Sequence, residues 1–265
     1  MHHGIAMLHS LYASNQNHKI VVHILDGGIS FKNRLKLFLL FKRLKFKFKF
    51  YKIDYSKIIN APISNHISFA SYNRIFLSTA ISNRIDKILY LDCDLIVLKD
   101  ISSFFEFNLE NYYLGAVCEI VDEETKNRLE LGKEFHYFNA GVQIINLKKW
   151  RDENFEKILI NFINQNKEKI ISHDQDVLNF CAKGNWLILD FKYNVTHFFY
   201  YPDKYPHIFF NIQLEEYHDI KKNAIIVHFT SQDKPWTLES THPKKDLYFK
   251  YLLSYYQLFF TKLKA

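Results

Sequence analysis

Cysteine is scarce in this chain: Cys93, Cys118 and Cys181 are the only three in 265 residues. They are odd in number, far apart and without metal-type spacing. This excludes a disulfide framework and a thiolate zinc site, and reads as reduced thiols in a cytosolic protein. Long apolar runs are also missing. None reaches the roughly 18 uninterrupted residues that a membrane span needs. The start, Met1-His2-His3-Gly4, has no basic region followed by an apolar core, so no signal peptide is expected. There is no internal repeat and no low-complexity linker. Finally, acid is missing from one place. Between Phe31 and Lys52 stand Lys32, Arg34, Lys36, Lys42, Arg43, Lys45, Lys47, Lys49 and Lys52, with no Asp or Glu.

What is present describes a folded globule. Hydrophobic residues make up 48% and charged residues 24%, and aromatics are abundant, with 25 Phe and 17 Tyr. The length fits one large domain or two small ones. The nine cations of 31–52 exceed the net charge of +7, so the rest of the chain lies two charges below neutral. A concentrated basic patch on a near-neutral body suits an anionic partner: a membrane surface, nucleic acid or a phosphorylated glycan. The same lysines also suit a solvated sheet edge, because Leu44 to Tyr51 alternates Phe46, Phe48 and Phe50 with Lys45, Lys47 and Lys49. No recognised nucleic-acid module accompanies the patch, and no nucleic-acid partner is expected.

Along the chain, hydrophobic periodicity predicts a helix over 4–13, a buried strand over 19–25 and a turn at Asp26-Gly27-Gly28. Ser30 is placed to cap a helix running to about residue 43. Helices are expected over 67–82 and 148–169. Buried strands are expected at 88–91, 112–118 and 137–147, with a short strand at 186–189 and another at 224–229. Residues 122–134 read as a polar connection. Ser172 with Gln175 fits a capping box for a further helix. Strands alternating with helices predict an α/β fold with a mostly parallel sheet, whose ligands gather at the carboxyl ends of strands.

The sequence is organised around Lys87-Ile-Leu-Tyr-Leu-Asp-Cys-Asp94. An apolar strand ends in two carboxylates that share one side of the chain, with Cys93 pointing the other way. Paired oxygen ligands at a strand end suit a divalent cation that also takes phosphate oxygens. An acidic turn leaving the core would look the same. His228, taken alone, reads equally as a packed strand residue, Asp174 and Gln175 as helix caps, and Lys234 as a surface lysine.

Six blocks in order resemble glycosyltransferase family 8, retaining transferases of the GT-A fold, and most of all its bacterial lipopolysaccharide galactosyl- and glucosyltransferases. They are Leu25-Asp-Gly-Gly-Ile-Ser30, Tyr72-Asn-Arg74, Tyr90-Leu-Asp-Cys-Asp94, Tyr137-Phe-Asn-Ala-Gly141 with Ile145-Asn-Leu-Lys-Lys-Trp150, His173-Asp-Gln-Asp-Val-Leu-Asn179, and His228-Phe-Thr-Ser-Gln-Asp-Lys-Pro-Trp236. The resemblance implies that Asp92, Asp94 and His228 bind manganese, or magnesium in its place, which grips the diphosphate of a UDP-hexose. It implies a second positive contact from Lys234. Arg74, Asn139, Ala140 (through its backbone) and Asp174 would hold the donor sugar, with Gln175 beneath the anomeric carbon. The implied acceptor is a lipid-linked glycan at the cytoplasmic face of the inner membrane.

The chain departs from the family at Ser231, where glycine is usual, and at its start. Related enzymes begin with an apolar strand and an acidic turn. Here His3 to Tyr12 already match the helix that follows, so one strand is expected to be missing from inside the sheet. Residues 1–243 are expected to form the transferase domain. Residues 244–265 are expected to form a basic aromatic tail that carries Leu247, Tyr248, Tyr251, Leu252, Tyr255, Tyr256, Phe259 and Leu263 on one helical face. That face suits an anionic membrane surface, and packing against the body is the alternative.

Overall fold

The computed structural model describes residues 2–59, 61–63, 69–201 and 211–261. The sequence lays down, in order, α1 (His2–Ser14), β1 (Val21–Asp26), α2 (Phe31–Leu44), β2 (Lys47–Lys52), α3 (Leu77–Ala80), β3 (Lys87–Leu91) and β4 (Leu95–Val97). There follow β5 (Leu114–Glu119), α4 (Glu123–Arg128), β6 (Tyr137–Asn146), α5 (Leu147–Asp152), α6 (Phe155–Gln165) and α7 (His173–Ala182). The chain continues with β7 (Trp186–Leu189), α8 (Leu214–Lys222), β8 (Ile226–His228) and α9 (Lys245–Thr261). No helix among the described residues is long and apolar enough to cross a membrane.

The central sheet has the order β3-β6-β5-β7 and is mixed: β6 runs antiparallel to both neighbours, while β5 and β7 are parallel. β6 is ten residues long and buried throughout except at Asn146, so both its faces meet core. A second ladder pairs β4 with β8, antiparallel, with Leu95 opposite His228. A third pairs β1 with β2, in parallel. α2 closes the β1–β2 unit through Leu37, Leu40, Phe41 and Leu44, and Phe41 stacks on Phe48 with ring centroids 4.7 Å apart. Ser30 does cap α2, its hydroxyl accepting from the Asn33 amide.

Several expectations change. β1 is half-exposed rather than buried, because its far edge has no strand beside it. Instead of one helix over 67–82, residues Phe69–Phe76 form a 3-10 helix that leads into α3; residues 67 and 68 lie outside the described set. The 148–169 helix is broken into α5 and α6 at Asn154, whose φ of 53° is left-handed. This break lets Trp150 and Phe155 both reach the core, the first donating to Tyr113 O at 2.9 Å and the second stacking on the Tyr113 ring at 3.8 Å. The polar 122–134 connection contains α4 and buries Leu129 and Leu131. The aromatic face of α9 lies on α1 rather than open to lipid as far as it is described: Tyr248 and Tyr255 are buried, and His3 Nδ1 meets the Tyr248 hydroxyl at 2.9 Å. Tyr248 and Tyr255 of this segment thus pack on the body. Phe259 and Leu263 lie outside what is described of side chains.

Between β1 and β3 runs a slot. Among the described residues β1 pairs only with β2, and β3 only with β6, so two strand edges line one slot without a ladder between them. Cavities of about 630 and 500 Å³ follow the slot, lined by Val22, His23, Ile88, Leu89 and Leu91 of the strands and by Met7 and Leu8 of α1. α1 enters from the carboxyl end of both strands, with Gly4 beside Cys93. An extended segment ahead of α1 would run parallel to β1 and β3, the usual geometry of a strand-helix-strand unit. Supplying this slot with a short apolar strand is expected to raise the melting temperature by at least ~2–4 °C, the equivalent of about 1 kcal/mol in a domain this size. Hydrogen exchange at β1 and β3 should slow with it. Unchanged exchange there would show that the slot does not take a strand.

Candidate active site

The site grows from the turn after β3, the end of β8 and the entries to β6 and α7. After β3 the chain turns through Asp92-Cys93-Asp94 into β4. The turn is pinned by Asp92 N donating to Gly141 O (2.8 Å) and by Phe229 N donating to Asp94 O (2.9 Å). The β4–β8 register then brings His228 opposite Leu95, next to Asp94. His228 Nε2 lies 3.1 Å from Asp94 Oδ1 and 4.0 Å from Asp92 Oδ2, and one ligand atom from each of the three falls within 4.8 Å of the others.

These three residues fit a divalent cation, for two reasons. Gly141 supplies the room: a Cβ there would stand 2.1 Å from His228 Cε1 and 2.8 Å from Asp92 Oδ2. The second is the histidine's orientation. Asn194 donates its amide to Asn139 Oδ1 (2.9 Å), which leaves Asn194 Oδ1 to accept from His228 Nδ1 (3.1 Å). Nε2 then carries the lone pair and faces two carboxylates, an all-acceptor cluster that a cation satisfies. Lys234 Nζ sits 2.8 Å from Asp94 Oδ2 and also donates to Phe229 O. Burial pushes the Asp94 carboxyl up, but the positive charges of the Lys234 ammonium and of His228, when no cation is bound and its Nε2 takes up a proton instead, outweigh it and hold it far below the carboxylate range.

A second group adjoins the first. Arg74, buried in the 3-10 helix, pairs with Asp92 at 2.9 Å and Asp174 at 2.6 Å. It also donates to Ala140 O and lies over the Tyr90 ring, 4.1 Å from its centroid. Burial lifts the Asp174 carboxyl to about 6 against the pull of Arg74. Gln175 Oε1 accepts from Ala140 N at 2.8 Å, so its side chain faces β6. That corrects the capping-box expectation: Ser172 makes no side-chain cap. The Asp176 carboxylate instead takes Ile171 N (2.8 Å), Ser172 N (2.7 Å) and the Tyr137 hydroxyl (2.7 Å), and pairs with Arg128. His173, with φ 51°, makes the sharp entry that aims Asp174 at Arg74.

All nine expected residues thus converge. Asp92, Asp94, His228 and Lys234 form one group; Arg74, Asn139, Ala140, Asp174 and Gln175 form the other, joined through Arg74 and Asp92. Two neighbours of these residues escaped the sequence reading. Asn194, at the end of a 3-10 turn after β7, orients His228. Glu119, ending β5, accepts from Asn139 Nδ2, and burial raises its carboxyl. Glu119 carries one legible signal, an acid at the carboxyl end of a strand. Asn194 has none.

With the geometry in place, comparison with known proteins gives the family. The description "Glycosyl transferase family 8" matches residues 1–239. The chain belongs to glycosyltransferase family 8. It is 30% identical to General stress protein A of Bacillus subtilis over 254 residues, 95% of this chain and 88% of that one. It is 24% identical to the Lipopolysaccharide 1,3-galactosyltransferase of Salmonella typhimurium, over 88% of this chain and 69% of the other. Among solved structures it superposes on galactosyltransferase LgtC in complex with donor and acceptor sugar analogs, with a TM-score of 0.82 and 26% identity over 96% of this chain and 91% of that one. The fold is GT-A, and this family 8 member is a glycosyltransferase.

Asn194 offers a test of the ligand cluster away from the ligands themselves. Asn194→Ala frees His228 to rotate, and divalent-cation affinity measured by calorimetry should fall about 10- to 100-fold. Unchanged affinity in a folded variant would remove Asn194 from the site.

Proposed function

We propose that this chain transfers galactose or glucose, with retention, from a UDP-sugar to a glycan acceptor of the lipopolysaccharide or lipooligosaccharide type. It does so with a divalent cation, manganese first and magnesium second, as a peripheral protein on the cytoplasmic face of the inner membrane. The observation that carries the reading is the meeting of Asp92, Asp94 and His228 beside Lys234. The leaving group is a nucleoside diphosphate, and its departure builds negative charge that needs a counter-charge at the diphosphate. A cation held by Asp92, Asp94 and His228 supplies part of it, and the Lys234 ammonium the rest.

The other residues position the sugar. Arg74 locks Asp92 and Asp174 in one frame, so that Asp174, Asn139 and the Ala140 backbone present fixed polar groups to the donor hydroxyls. Gln175 is held by Ala140 N and places an amide, not a carboxylate, beneath the anomeric carbon. An uncharged group there suits a same-face displacement better than a covalent glycosyl intermediate. The cavity at the carboxyl ends of β1 and β3, lined by Leu25, Gly27, Gly28, Asn33, Asn73 and Tyr90, shares Cys93 with the metal turn and suits the nucleoside end of the donor.

The alternative reading is a catalytically weak relative that only binds nucleotide-sugar or membrane. Turnover separates the two. A panel of UDP-sugars with manganese should show transfer or slow hydrolysis of UDP-galactose or UDP-glucose. Asp92→Asn and Asp94→Asn should each lower the rate by ~10²-fold or more with the fold intact. Full activity in EDTA would overturn the metal assignment, and binding without turnover would favour the second reading.

A further inference from the structure

The solvent face of α2 is apolar where a surface helix is normally polar. Phe31 is 83% exposed, Leu35 51%, Phe38 49% and Leu39 42%, while Leu37, Leu40, Phe41 and Leu44 fill the core on the opposite side. At about 100° per residue, the four exposed apolar side chains and Lys42 share one stripe. Lys32 and Lys36 flank it, and Lys45 caps the helix in the left-handed conformation. Between residues 31 and 52 there is no acid to oppose these cations. Asp26, the carboxylate nearest in sequence before them, is buried and paired with Arg34.

An exposed apolar stripe of this kind marks a contact surface, and its lysine border restricts the partner. Ammonium groups beside aromatic and leucine side chains match the headgroup zone of an anionic bilayer, phosphates outside and acyl chains within. The tail helix α9 is a poorer match, because Tyr248 and Tyr255 are spent on the protein body. The position is also suitable. α2 begins just past Asp26, at the same end of the strands as Asp92, so a bilayer against α2 runs beside the rim of the site.

We propose that α2 seats the enzyme on an anionic lipid surface, with Phe31, Leu35, Phe38 and Leu39 entering the interface and Lys32, Lys36 and Lys42 contacting lipid phosphates. This rests on the membrane reading given above and moves the contact from the tail to α2.

The test uses the full chain with vesicles of phosphatidylglycerol and phosphatidylcholine in equal parts, and with vesicles of phosphatidylcholine alone, at low salt. Wild type should sediment with the first and not the second. The triple variant Lys32→Glu, Lys36→Glu, Lys42→Glu should lose ~10²-fold in partitioning. Phe31→Ser with Phe38→Ser should lose at least about tenfold. Phe31, Lys32 and Lys42 face solvent, Lys36 is half-buried and Phe38 is half-exposed with its ring against Phe48, so an unchanged melting temperature and unchanged donor hydrolysis would show that the variants are folded. If wild type and both variants bind anionic vesicles alike, the membrane reading stands and α2 is not the contact. If wild type ignores vesicles, both fail. The proposal is also overturned if the variants abolish instead salt-dependent RNA binding or a dimer seen by analytical ultracentrifugation.

Discussion

Arg74 is the constraint on which the site depends. A guanidinium cannot be neutralised at any ordinary pH, so burying one obliges the fold to surround it with acceptors. Here they are Asp92 at 2.9 Å, Asp174 at 2.6 Å, the Ala140 carbonyl and the face of Tyr90. Those four come from β3 and the turn after it, from β6 and from α7. One side chain thereby ties the Asp92-Cys93-Asp94 turn to Ala140 and Asp174 and fixes their spacing. Lysine would not substitute, because a single ammonium lacks the planar fork that meets two carboxylates and a carbonyl together. Such a pair is weak evidence for stability, since desolvation cancels much of the attraction. Its value is in geometry.

How much of this was legible follows from where each signal resides. Residues presented by strand ends were readable, because an apolar run that stops at a polar side chain locates both the strand and the residue: Asp92 and His228 are of this kind, and Asn139 marks the entry to β6. Contacts that depend on which loop returns to the strand were not. Asn194 sits in an unremarkable turn, and only the isolated bridge of Val195 to Val227 brings it to His228. Ser172 and Gln175 had the spacing of a capping box, yet tertiary partners took both: Asp176 reached back to the amides of Ile171 and Ser172, and Ala140 claimed Gln175. Similarly, the helical pattern of 148–169 continued through Asn154, and only the packing of two aromatic rings around Tyr113 favoured a break there.

The tail shows the same limit in another form. An aromatic face flanked by lysines looks alike whether it meets lipid or another helix, since both offer apolar surface with polar borders. α1 supplies that surface for Tyr248, and His3 and Trp236, stacked at 3.6 Å, continue it toward Lys234. The packing therefore links the first turn of the chain, the last helix and the loop that carries a site cation. Sequence periodicity identifies the apolar face of a helix but not its partner.

The open slot and the metal turn share a structural cause. β3 is stitched to β6 on one side only, and its other edge faces β1 without a ladder. Asp92 follows directly from that edge, yet its position does not rely on it. The Asp92 amide is bonded to Gly141 on the β6 side, its carboxylate to Arg74, and Asp94 to the β8 side through Phe229. The backbone bonds that orient the candidate ligands come from the paired side of β3, whereas Arg74 sits on a 3-10 helix whose Asn73 donates to Leu25 O of β1 (3.0 Å), and the cavity beside it draws its walls from both strands. Loosening at the slot would consequently weaken the hold on the nucleoside end before it displaced Asp92, Asp94 or His228. The candidate ligand cluster is in this way tied to the least supported part of the sheet only through the helix that carries Arg74.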